Sequence, residues 1–347
     1  MKTIQLLALF ILSVFVSPAT FAQMKMDGTT MVGGAAMYLN DAVIQSKQIK
    51  YICNHHEQAA TMAAECYARI TNSIGVVIVT SAAASTNTLT GVLGAWWDSI
   101  PVMIFSGNAK TEMLTYDTPE LRQLGVQDTK IVDIVKPITK YAVCIKDAQR
   151  VRYEFDKALY LATTGRKGPV WLDLPLDIQG TQIAQPDKLV KFDPPKIKKP
   201  DLTKAVSQTI TKIKQAKHPV VIVGSGVRLS GNFELFHQVI NKLKIPVLTS
   251  LTAQDMMYET HPLYGGRFGP YGTQKGNDLI KQADVMLILS ERLYLWQIGY
   301  EYRDFGAQAY KIMVDIDEAE LTKKTLSIQL PIHADVGDFL TKLNQKL

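Results

Sequence analysis

Four runs of unbroken apolar residues restrict what this chain can fold into. Residues 75–80 read GVVIVT, 102–106 VMIFS, 219–224 PVVIVG and 284–289 DVMLIL. A strand with one face in water alternates apolar and polar residues. A run without alternation is expected where both faces of a parallel sheet are covered. Further strand-like stretches occur at residues 168–175, 245–249 and 311–316. Helical patterns stand between them at residues 35–45, 88–97, 148–163, 202–215 and 336–343. Strands alternating with helices indicate an α/β chain of doubly wound, mostly parallel sheets, with the four apolar runs as central strands.

A length of 347 residues suggests two domains. The texture changes between residues 176 and 200, where Pro186, Pro194, Pro195 and Pro200 sit among lysines and aspartates. This reads as an extended linker, residues 179–200. It divides a first domain, residues 28–178, from a second, residues 201–347.

The formal net charge of +6 is mild and spread along the chain. No basic run with interleaved aromatics occurs, so nucleic-acid binding is not indicated. Cys53, Cys66 and Cys144 lack metal-ligand spacing and lie in apolar segments. They are expected to be buried free thiols. Residues 1–23 have a basic start at Lys2, an apolar run and a small residue at Ala22. That is the pattern of a signal peptide, too short to span a membrane comfortably. A real signal implies a secreted or periplasmic protein with no membrane span after cleavage; the alternative is that these residues form the first helix of a cytoplasmic protein.

Residues 51–69, YICNHHEQAATMAAECYAR, hold the most informative acid. A short apolar strand turns through Asn54, His55 and His56 into a small-sided helix opening at Glu57, which is expected to be buried. A carboxylate in the first turn is favoured by the helix dipole, so Glu57 taken alone reads as a cap.

The string as a whole closely resembles the pyrimidine-binding domain of thiamine-diphosphate-dependent enzymes, of the acetolactate-synthase and pyruvate-decarboxylase kind. The family pattern is a strand, His-Glu, then a helix with alanine repeats ending Tyr-Ala-Arg. Here it is His56, Glu57, Ala59, Ala63, Tyr67, Ala68 and Arg69. The resemblance implies that Glu57 bonds a ring nitrogen of the cofactor's aminopyrimidine and stabilises the imino tautomer that removes the thiazolium proton. It implies that Gly33 and Gly34 lie beside the pyrimidine, in a turn that otherwise reads as a plain strand-to-helix connection. Ser81 and Asn87 bracket the next cofactor turn. There the family has Gly-Pro-Gly and this chain has Ala82, Ala83 and Ala84. Alanine resists the positive φ and close approach that glycine permits. Gln127 and Asp128, in LRQLGVQD, match a family pair near the substrate; taken singly they read as solvated loop. GPVWLDLP at residues 168–175 is the family's usual domain ending.

The second half resembles the Rossmann-like middle domain of the same enzymes. Some members bind FAD there and many bind nothing. The glycines at 224, 226 and 231 depart from the strict dinucleotide fingerprint, and Asp315 and Asp317 would serve a ribose only on a dinucleotide reading. The third family domain carries a Gly-Asp-Gly motif whose groups hold Mg2+ on the diphosphate. Gly-Asp-Gly does not occur in this sequence. The resemblance therefore implies a thiamine diphosphate enzyme acting on 2-keto acids, making or breaking a carbon–carbon bond. Magnesium would be held by a domain outside this chain, in a homo-oligomer or a diphosphate-domain subunit. The chain alone is expected to be inactive. The alternatives are a non-catalytic remnant or regulatory subunit, and a nucleotide-binding protein using the second domain.

Overall fold

A computed structural model describes residues 27–30, 33–118 and 120–347. The expected signal segment lies outside the described residues. The chain forms two compact units that divide between Lys196 and Ile197.

The first unit holds β1 (Asp27–Thr30), β2 (Lys50–Cys53), β3 (Gly75–Val79), β4 (Val102–Asn108), β5 (Tyr141–Cys144) and β6 (Val170–Pro175). They form one sheet in the order β2-β1-β3-β4-β6-β5, with every pairing parallel. Every residue of β3, β4 and β6 is buried, as the unbroken apolar runs require. Helices α1 (Met37–Gln45), α2 (Glu57–Thr71), α3 (Ala83–Asn87), α4 (Leu89–Trp97) and α5 (Val151–Thr163) follow the strands. Phe105 of β4 stacks on Phe155 of α5 with ring centroids 4.9 Å apart.

Three expectations need correction. Helix α2 is not buried all round. It buries the stripe Glu57, Ala60, Thr61, Ala64 and Ala68 and exposes Met62, Cys66 and Ile70. Its small residues serve close packing on one side, while β2 lies at the sheet edge with all four residues exposed. The cysteines are therefore not buried thiols: Cys53 on that edge and Cys66 on that outer face are exposed, and Cys144 is half-buried. The stretch after β6 also does not start as an extended linker. Leu176–Gly180 is a helical turn in which Ile178 and Gln179 are buried, and the Gln179 amide donates to the carbonyls of Ala35 and Leu174.

The second unit holds β7 (Pro219–Val223), β8 (Val247–Thr249), β9 (Tyr264–Arg267), β10 (Val285–Leu289), β11 (Tyr310–Asp315) and β12 (Leu330–His333). Their order is β12-β11-β10-β7-β8-β9, again all parallel. Alternate residues feed two separate cores. Val221, Val223, Leu287 and Leu289 face one, with Phe236 and Phe339. Val220, Ile222, Met286 and Ile288 face the other, with Phe268 and Phe305. A two-residue side-chain period over an apolar run produces this division. The four runs named from the sequence are the central strands of their sheets. None of the described helices is long and apolar enough to cross a membrane.

Candidate active site at the switch point of the first sheet

In the first sheet the chain runs from β1 outward to β2, then returns to place β3 on the other side of β1. Open parallel sheets bind ligands beyond the carboxyl ends of the strands at such a reversal. The turns after β1, β2 and β3 carry Gly33 and Gly34, Glu57, and Ser81 respectively.

Gly33 is extended, with φ −165°, so its need for glycine is not conformational. A Cβ there would stand 2.5 Å from Thr80 Cγ2. The Ala35 amide donates to Thr80 Oγ1 at 3.2 Å, tying the glycine turn to the end of β3. Gly34 faces open space. Sequence reading passed over Thr80; a hydroxyl closing an apolar strand was the available signal.

Glu57 opens α2 behind His56, whose Nδ1 accepts from the Gln58 amide at 3.2 Å. Histidine therefore performs the capping that the sequence allowed to Glu57, and the carboxylate is free for other work. The Glu57 residue is 7% exposed. Its Oε2 accepts from Asn87 Nδ2 at 3.0 Å, and Thr61 Oγ1 donates to its carbonyl at 2.9 Å.

Asn87 reaches Glu57 because of the turn before α3. Ala82 has φ 51° and ψ −116°. This is the first central position of a type II′ turn, which glycine dominates. The alanine that replaces the family's glycine has kept the glycine conformation. Ser85 Oγ donates to the Thr80 carbonyl at 2.7 Å, and the Thr86 amide donates to the Ala82 carbonyl at 2.9 Å. Ala83 and Ala84 lie inside α3 with helical backbone. Ser81 is buried between β3 and this turn.

Gln127 and Asp128 sit in the loop after β4, apart from this cluster. Gln127 is exposed with φ 54°. Asp128 is buried and turned into the loop, where its Oδ2 accepts from the amides of Thr115, at 2.9 Å, and Leu124, at 3.4 Å.

A buried polar row under the same loop was not foreseen. Ser106, Asp173 and Cys144 stand side by side on β4, β6 and β5. Asp173 accepts from Ser106 Oγ at 2.6 Å and from Asn108 Nδ2 at 2.7 Å, and Trp171 Nε1 donates to Ser106 Oγ at 2.8 Å. Burial pushes the Asp173 carboxyl up to about 6, against the pull of Ser106, Asn108 and the Cys144 thiol. Burial likewise raises Cys144 and Tyr116, with the Asp173 charge adding to both.

The donor set fits the pyrimidine end of thiamine diphosphate: a nearly dry carboxylate at the switch point, steadied by one amide. It does not fit the diphosphate end, since no group of three or more His, Cys, Asp or Glu among the described residues is arranged to hold a metal ion.

Residues 28–131 match the family model for the N-terminal TPP binding domain of thiamine pyrophosphate enzymes, and residues 206–343 match that for their central domain. The chain belongs to the thiamine pyrophosphate enzyme family. Its two parallel-sheet units correspond to the N-terminal and central domains of that family. Within it the chain is acetolactate-synthase-like. It is 32% identical over 320 residues to the acetolactate synthase large subunit of Lactococcus lactis, covering 90% of this chain and 53% of that protein. A probable acetolactate synthase large subunit of Methanococcus aeolicus is 32% identical over 322 residues, covering 91% and 52%. The isozyme 3 large subunit of Escherichia coli is 31% identical over 321 residues, covering 91% and 53%. The chain thus spans about half the length of the curated relatives it matches.

Proposed function

We propose that the first unit supplies the pyrimidine pocket of a thiamine-diphosphate-dependent enzyme acting on 2-keto acids, with acetolactate-synthase-like carbon–carbon bond chemistry. The observation that carries this reading is the buried Glu57 carboxylate at the switch point, held by Asn87. Thiamine diphosphate, when bound, supplies the carbanion chemistry. Glu57 accepts a hydrogen bond from the pyrimidine ring and biases where its protons sit, within a reach of about 2.6–3.2 Å. Asn87 fixes the carboxylate's orientation. Gly33 and Gly34 let the backbone lie close beneath the ring, and Ser81 borders it. Gln127 and Asp128 belong to the loop that faces the substrate. Magnesium and the diphosphate would need a further set of oxygen ligands, which the described residues do not gather. FAD takes no part in this reading.

The test has two arms. Saturation-transfer NMR with thiamine and the chain alone should label the pyrimidine protons more than the thiazolium protons, and Glu57→Gln should remove the signal. Reconstitution with a diphosphate-binding domain from an acetolactate synthase, thiamine diphosphate and Mg2+ should accelerate thiazolium proton exchange. Glu57→Gln should lose about 10²-fold or more of that gain. Unchanged exchange in the folded Glu57→Gln complex would sink the assignment.

The second reading, a non-catalytic subunit that pairs with a complete enzyme, is favoured by Ala82. An alanine held where glycine belongs is what relaxed selection on the cofactor turn would leave. It predicts no thiamine signal from the native chain and a gain on Ala82→Gly.

A further inference from the structure

The second unit also has a reversal of strand order in a six-stranded parallel sheet. The strand order steps outward through β7, β8 and β9 on one side and through β10, β11 and β12 on the other, all parallel, so the order reverses between β7 and β10. The turn after β7 is Gly224, Ser225 and Gly226, and the turn after β10 is Ser290 and Glu291. A nucleotide's phosphates would lie over such a glycine turn. That place is taken. Glu291 is buried, and its Oε2 stands 2.8 Å from where a Cβ on Gly224 would be. The Leu293 amide donates to Glu291 Oε1 at 3.2 Å, and Ser250 faces the carboxylate from the turn after β8. Gly224 is glycine because the Ser290–Glu291 turn presses on it, not because a ligand does.

Three further observations agree. The helical turn after Gly224, Gly226–Leu229, has four residues and adds little dipole to attract an anion. Of the acids that would meet a ribose, Asp315 accepts the Asp317 amide at 2.9 Å, and Asp317 accepts the Ala319 amide at 3.0 Å and caps the next helix. Beyond Ser250, the cavity walled by Leu251, Phe268, Tyr271 and Trp296 encloses about 10 Å³. The rings of Tyr271 and Trp296 are 4.9 Å apart and close on each other across it. This is room for about one water, whereas ligand sites run to about 300 Å³ and more.

We propose that Glu291 is a built-in occupant of the second unit's nucleotide crevice and determines its specificity against phosphate-bearing ligands, FAD included. The carboxylate fills the space over the Gly224 turn and carries the same sign of charge as a phosphate. This differs from the family members that hold a flavin in this domain. It is independent of the reading of Glu57.

The experiment titrates ADP by calorimetry, and FAD by its own fluorescence, into the native chain and into Glu291→Ala, Glu291→Ser and Glu291→Gln. Folding is checked by circular dichroism and a cooperative melt. The native chain should show no saturable binding of either probe below about 1 mM. Glu291→Ala or Glu291→Ser should bind ADP at least about tenfold tighter than the native chain. Glu291→Gln keeps the length and removes the charge. A gain confined to the short side chains assigns the closure to volume, and a gain in all three assigns it to charge; both support the proposal. Micromolar binding of FAD or ADP by the native chain overturns it. So does a folded short-chain variant with no gain.

Discussion

Both units set a glutamate near the reversal of a six-stranded parallel sheet, yet the two acids do opposite work. Glu57 follows the outer strand β2 and meets a neutral amide from a helix thirty residues on. The glycine turn beside it packs on the Thr80 side chain, and Gly34 faces open space. Glu291 follows the inner strand β10 and lies against the glycine turn itself. The same side chain near the reversal of two parallel sheets thus meets an amide in one and packs on a glycine turn in the other. The fold offers the place, and the strand that the acid follows decides whether it lines the crevice or blocks it.

Exchanging the charge for an amide at each glutamate gives the largest expected contrast. Glu57→Gln should cost about 10²-fold or more in thiazolium proton exchange of the reconstituted complex. Its effect on the melting of the first unit should be small, because the Asn87 contact can re-form with an amide oxygen. Glu291→Gln should leave that exchange unchanged and stabilise the second unit, because burial raises the Glu291 carboxyl and so penalises its charged form. Denaturant titration and exchange NMR on the two variants read both axes. Equal loss of exchange from both would remove the distinction.

The second prediction moves to a third buried acid. Asp173 ionises at about 6 in the folded chain and near 3.9 unfolded. Between these values the folded state holds the extra proton, so stability falls as pH rises through the window and levels above it. The span is about 3 kcal/mol, counted at about 1.4 kcal/mol per unit. The groups facing Asp173 are Ser106, Asn108, Cys144, Tyr116 and Asp128. Denaturant midpoints measured from pH 4 to 8 should show the slope, and Asp173→Asn should flatten it. A native slope of the opposite sign would refute the assignment.

The central strands were legible in the sequence because burial on both faces leaves a run without alternation. Glu57 was legible as the acid opening the helix after a short strand because that string is local and continuous, whereas the His56 cap and the contact with Asn87, thirty residues on, were not. Ser106, Cys144 and Asp173 were not, since they meet only through the register of three strands that are not consecutive in the chain. Glu291 was missed for a similar reason: its partner, Gly224, lies sixty-seven residues earlier, and no spacing rule links a loop acid to a distant glycine. The outer face of α2 was misread because its alanines and methionine carry no polar mark that would place them outside; the helix buries only the stripe through Glu57, Ala60, Thr61, Ala64 and Ala68.

The smallest effect tests the turn that makes the first crevice what it is. The three alanines at 82–84 replace Gly-Pro-Gly, and the structure separates their roles. Ala82 sits at φ 51° and ψ −116°, a conformation that costs a residue with a Cβ about 1–3 kcal/mol. Ala82→Gly should therefore raise stability, though by no more than about 1 kcal/mol, since glycine also loosens the unfolded chain. Ala83 is the first residue of α3, where proline's fixed φ suits the helix and its missing N–H costs nothing. Ala83→Pro should be neutral or slightly stabilising. Ala84 lies within the helix, so Ala84→Gly should cost about 1 kcal/mol. The full Gly-Pro-Gly restoration should then come close to cancelling in stability while removing the strain at Ala82. Thermal melts of the three single variants and the triple check the signs. The ordering Ala82→Gly above native above Ala84→Gly is the one the backbone requires. The reverse ordering would mean that the turn holds Asn87 against Glu57 in some other conformation.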